Sequence, residues 1–217
     1  FLAPAYLFAA RVGRIDPEHM RILAETHRGE IDELWTSQTI REVEDEGELL
    51  VRLALATREP SPSELEALTE SVEHSWPDGP YSSLRQAAAC VRVLDLMGRG
   101  DLVEARRPAV DALLREHWVD ERWELGALKL GGFARSRESN HSSVEDSLAA
   151  IELMARLGVP EGIDLRLLRG YLRGESRAWA WPFDLWSSDR IPARVALLCL
   201  EKQVGLPPRA WYEHLIG

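Results

Sequence analysis

The sequence predicts an all-α chain built from about five helical hairpins. Three observations carry that expectation. An alanine-rich apolar segment that stops at a glycine recurs four times, ending at Gly13, Gly98, Gly158 and Gly205. Residues 82–98 lie over residues 142–158 at one constant spacing of sixty, and both copies open on Ser-Ser (Ser82-Ser83, Ser142-Ser143) and close on glycine. No stretch alternates apolar and polar residues cleanly enough to be a strand. Glycine stops a helix because it takes up left-handed backbone without a steric penalty. A second helical pattern follows each of the two matched copies, at 108–115 and 164–172. The repeating object is therefore a helical hairpin rather than a single helix. A weaker copy at 48–57, with 61–75 as its return helix, brings the hairpins to five, starting near residues 4, 46, 82, 142 and 187.

In chain order, residues 4–12 form the first predicted helix. Asp16-Pro17-Glu18 is a helix start, with Asp as cap, Pro in the first turn and an acid behind it, and the helix runs to about residue 27. A short helix at 31–37 turns Trp35 inward. Residues 39–56 read as one helix with an acidic front made by Glu42, Glu44, Asp45, Glu46 and Glu48. Ser61 and Glu64, three apart, form a capping box ahead of Leu65, Leu68 and Val72. Trp76-Pro77-Asp78-Gly79-Pro80 is a turn. The third hairpin is 82–97 with 108–118. Residues 125–130 carry no clear signal, and 131–141, opening on Gly131-Gly132-Phe133, read as a loop. The fourth hairpin is 144–157 with 163–172. Residues 178–188 form an irregular aromatic segment, and helices at 192–204 and 208–216 close the chain.

At 217 residues, with no Gly/Ser tract and no Pro-rich run, the chain reads as a single domain over 1–217. A net charge of −10 argues against a nucleic-acid-binding surface, which needs a basic stripe to displace counterions. The 24 arginines against two lysines are scattered, a pattern that fits a GC-rich coding sequence better than a phosphate site. Cys90 and Cys199 sit inside apolar helical runs and read as buried thiols; a disulfide between them stays open. No apolar run reaches the roughly 20 residues of a membrane span, so a cytoplasmic protein is expected. The chain opens on phenylalanine, and it is expected to be an excerpt of a longer polypeptide.

From Gly131-Gly132-Phe133 through Ser143-Val144-Glu145-Asp146-Ser147-Leu148-Ala149-Ala150, the sequence resembles the repeat of the protein prenyltransferase β subunits and the squalene/terpenoid cyclases. The junction from Tyr6 to Pro17 is similar to the same repeat. The resemblance covers most of the chain as a pattern and is sharp only over 131–158. It implies an α/α toroid, complete or partial, in which alanine-rich inner helices ring a cavity and present their N-termini to one mouth. Cyclases of that family place an Asp-x-Asp-Asp cluster there, whose central acid protonates an alkene. The nearest match is Ser143-Val144-Glu145-Asp146, which gives Asp146 and Glu145 as the candidate catalytic pair, although the first acid is serine. Glu44-Asp45-Glu46-Gly47 matches less well. Prenyltransferases bind zinc through Asp, Cys and His, and the resemblance would put Asp146 at the Asp position. No cysteine follows it at short range, and His141 and His214 lack a partner in register, so no metal and no cofactor are expected.

The aromatic rings of Trp179, Trp181, Phe183 and Trp186 could line such a cavity or plug the core with apolar area. Trp179, Trp181, Trp186, His141 and Phe133 are the candidate cavity-lining residues. Trp118 and Trp123 read as core. No phosphate loop, nucleophile elbow or His-Glu-x-x-His pair occurs. The expectation is a non-catalytic toroid domain that binds an isoprenoid-like or other apolar small molecule, or a protein partner. The alternatives are a degenerate isoprenoid-processing enzyme acting through Asp146 and Glu145, and a helical-repeat scaffold without a cavity.

Overall fold

The computed structural model describes residues 17–40, 43–77, 82–122, 129–177 and 190–204. The expected helices at 4–12 and 208–216, the Asp16 cap, the tip of the turn at 78–80, Trp123, and the aromatic segment with Trp179, Trp181, Phe183 and Trp186 lie outside the described residues. Most of the described chain is helical, and a small sheet accompanies the helices. The elements are α1 (Pro17–Thr26), α2 (Arg28–Ser37), α3 (Glu48–Thr57), α4 (Pro62–His74), α5 (Leu84–Leu96), α6 (Gly100–Ala105), α7 (Arg107–His117), β1 (Trp118–Arg122), β2 (Lys129–Ala134), β3 (Ser142–Ser143), α8 (Val144–Leu157), α9 (Leu165–Arg177) and α10 (Arg190–Gln203). No helix among the described residues is long and apolar enough to cross a membrane. The chain gathers into two compact units. One holds Phe1–Asp78 and Ala89–Ala105, the other Gly79–Ala88 and Arg106–Gly217.

In the first unit α3 packs against α1 and α2 and buries Val51, Leu53 and Ala54 completely. The expected helix at 39–56 is shorter than its acidic pattern suggested. Glu44 leaves helical geometry (ψ −161), Val43–Gly47 winds as a wider turn, and regular helix begins at Glu48. The physical reason lies in Glu48 itself. It is fully buried, and its carboxylate accepts from Arg92 Nε at 2.5 Å and Arg52 Nη2 at 3.2 Å. A buried charge must be paired, so this acid faces the interior while its neighbours in the run do not dictate the helix. The Cys90 thiol is buried, its Sγ 3.7 Å from the Ser75 carbonyl oxygen.

The capping box of α4 forms as its spacing requires. The Glu64 N–H donates to Ser61 Oγ at 3.3 Å, and the Ser61 N–H donates to Glu64 Oε2 at 2.8 Å. Arg58 adds a two-pronged contact to the same carboxylate, at 3.0 and 2.6 Å, and its guanidinium lies 4.0 Å over the Trp35 ring. One arginine thus ties the α2 aromatic to the start of α4.

In the second unit the strands pair antiparallel in the order β1-β2-β3, with Trp118 opposite Phe133 and Phe133 opposite Ser143. This corrects one expectation, that Gly131-Gly132-Phe133 opens a loop; the mostly helical class stands, with a small sheet beside the helices. The glycines explain the strand. A Cβ on Gly131 would sit 2.6 Å from the Trp118 ring and 3.1 Å from Leu167; one on Gly132 would sit 2.6 Å from Ser142 Oγ and 3.0 Å from Tyr171. Their bareness lets α9 lie directly on β2. Gly170 of α9 repeats the device, since a Cβ there would meet Leu130 at 3.1 Å. α9 also packs on α10, and α10 on α8. Arg169 of α9, 4% exposed, donates to Glu201 of α10 at 2.7 Å.

The sixty-residue repeat is visible in burial. Leu84 and Val144, Ala87 and Ser147, Val91 and Ile151, Val93 and Leu153, and Met97 and Leu157 are buried pair by pair, while Asp95 and Ala155 are both exposed. Both helices end on a glycine with positive φ, 72° at Gly98 and 98° at Gly158. The Arg107 guanidinium donates to the Leu157 carbonyl, placing a cation at the negative end of α8.

Two predictions follow from this packing. Gly132→Ala, which has no room for its methyl, should destabilise by about 1–3 kcal/mol in urea unfolding. Gly29→Ala, in α2 with nothing within 4 Å, should instead stabilise by about 0.5–1 kcal/mol. The second concerns Glu64, whose carboxyl is held down to about 2 by Arg58 first and then by the Ser61 N–H and hydroxyl. A carboxyl whose pKa falls on folding stabilises above its unfolded value and loses that contribution through its folded one. The Glu64 contribution is therefore complete above about 4.5 and gone toward about 2. Thermal melts of Arg58→Ala over that window should show a shallower acid-induced fall than the parent protein.

Candidate functional site

The first turn of α8 carries Glu145 and Asp146, the two acids that the resemblance singled out. Ser142 and Ser143 end the sheet as β3, and Val144 already belongs to α8, so the strand pairing fixes where that helix begins. Ser143 caps it: its Oγ accepts the Asp146 N–H at 3.3 Å. The Tyr171 hydroxyl donates to the Ser142 carbonyl at 3.0 Å and secures the junction from α9.

Glu145 and Asp146 then part. Glu145 is exposed and meets Arg85 of α5, with Arg85 Nη1 3.0 Å from its carboxylate. These two residues occupy the same position in successive repeats, sixty apart, and their side chains reach each other across the repeat. Asp146 is 2% exposed, and its Oδ1 has no hydrogen-bond partner among the described residues. Ser147 is fully buried, and its Oγ accepts the Phe133 N–H at 3.1 Å.

Phe133 is fully buried with its ring edge-on to Trp118, centroids 5.2 Å apart at 67°. His141 is exposed, its N–H donating to Ser139 Oγ at 3.3 Å. Trp179, Trp181 and Trp186, the remaining candidate cavity residues, lie outside the described residues. Arg137 reaches back from the loop between β2 and β3 to Ser82 Oγ at 3.2 Å and to Glu116 at 2.7 Å.

Sequence reasoning missed His117, the last residue of α7. It is fully buried, its Nδ1–H donates to the Ala134 carbonyl at 2.8 Å, and its Nε2 has no hydrogen-bond partner among the described residues. No motif announces it; a lone histidine at a helix end carries no spacing signal. It does not form a dyad with Asp146. The Phe133 N–H, which faces α8, and the Ala134 carbonyl, which faces His117, belong to consecutive strand residues whose main-chain groups leave opposite edges.

The donors that zinc would need do not converge: no three His, Cys, Asp or Glu residues cluster as a metal site among the described residues. Cys199 is free and half-buried, and burial, with the nearby Glu152 carboxylate, pushes its thiol up, away from the thiolate that zinc binds. What the arrangement can do is hold one sealed carboxylate at a helix start, beside a polar rim of paired charges.

Ser147→Ala tests the weld between sheet and helix. It leaves the buried Phe133 N–H without an acceptor, and urea unfolding should show a loss of about 1–3 kcal/mol.

Set against known proteins, the chain matches no family model, no curated protein and no solved structure.

Proposed function

We propose that this chain is a non-catalytic helical-hairpin domain of the α/α-toroid type whose role is to bind, with an isoprenoid-like or other apolar molecule, or a protein partner, as occupant. The observation that carries this reading is the divergence of the candidate acids. Glu145 faces outward and is spent on Arg85, whereas Asp146 is sealed at 2% exposure. Protonating an alkene takes an acid that touches the substrate with a second group tuning it; these two carboxyls do not share one face. The toroid part rests on the shared burial of α5 and α8 and on the Arg85–Glu145 pair between their starts.

A second reading, a degenerate isoprenoid-processing enzyme, draws on the bare Oδ1 of Asp146. Counted back from the glycine stops, the same repeat position holds Gln86 in α5 and Ala193 in α10. The fold therefore does not require a carboxylate there.

Asp146→Asn separates the two. An acid in the first turn gains about 0.3–1 kcal/mol from the helix dipole. A buried polar group without a partner costs about 1–3 kcal/mol, and more when charged. The amide keeps an unsatisfied polar group and removes only the charge, which offsets the lost dipole contribution, so the variant should unfold within about 1 kcal/mol of the parent in chemical denaturation. Farnesol, followed by tryptophan fluorescence, should bind parent and variant alike and be recovered unchanged. Product from farnesyl diphosphate with the parent and none with Asp146→Asn would favour the enzyme. Absence of saturable farnesol binding would remove the apolar ligand.

A further inference from the structure

We draw no further inference here: the strongest candidate, the side of α10 bearing Leu197 and Leu198, whose repeat counterparts Cys90, Val91, Ala150 and Ile151 are buried while Leu198 stands 54% exposed, is an apolar helix face with nothing in the structure to show what covers it.

Discussion

The backbone of β2 has no room for side chains at Gly131 and Gly132, and the second unit is organised around that constraint. The atoms standing where their Cβ atoms would be belong to Trp118 of β1, Ser142 of β3, and Leu167 and Tyr171 of α9. Two glycines therefore position three elements at once. Close approach is what glycine offers inside a strand, at the cost of a side chain that could pack. Here the packing is supplied from outside, by the helix that lies across the gap and by the edge-on contact of Phe133 with Trp118, an aromatic pair worth about 0.5–1.5 kcal/mol beyond its area. Tyr171 completes the contact by bonding the Ser142 carbonyl, so the helix that covers the sheet also holds its last strand.

That strand decides the chemistry next to it. With Ser142 and Ser143 paired to Ala134 and Phe133, the rotation of α8 is set before its first turn begins. Successive helical residues point about 100° apart, since 3.6 residues make a turn. Asp146 then lies within about 40° of the buried Ala150 and Leu157, whereas Glu145 stands about 120–140° from them. Ser147 spends its hydroxyl on the Phe133 N–H, a backbone donor that the short β3 does not serve. Asp146 inherits an inward position without an equivalent task.

The fold was legible in sequence wherever the physics is local. Ser61 and Glu64 announce a capping box because both partners lie within one turn, and it forms with those atoms. Gly98 and Gly158 announce helix ends because left-handed backbone favours glycine, and both adopt positive φ. The sixty-residue match of α5 and α8 was legible for the same reason: its period is written in small and apolar residues. The strand at Gly131 was not, because glycine carries no strand preference and the partners that require it, Leu167 and Tyr171, lie more than thirty residues away. Glu48 was read with the solvated acids around it for the same reason. Its second arginine, Arg92, is forty-four residues distant, and only Arg52, one turn on, gives a local hint. At the candidate site, Asp146 was visible as an acid at a helix start, whereas its burial, the service of Ser147 to the sheet, and the whole of His117 depend on contacts across the fold.

The repeat also shows which positions are free to carry function. α5 and α8 agree in burial almost residue by residue, yet agree little in chemistry: Gln86 stands where Asp146 does, Arg85 where Glu145 does, Ala87 where Ser147 does. Burial is imposed by packing a helix of fixed length between neighbours, and any residue of tolerable size satisfies it. Chemistry is not imposed, so a difference between copies reports a local demand. The demand on Ser147 is visible in its bond to Phe133, and that on Glu145 in its pair with Arg85. Asp146 differs from its copies, and its Oδ1 has no hydrogen-bond partner among the described residues, in surroundings where an unmatched polar atom is expensive.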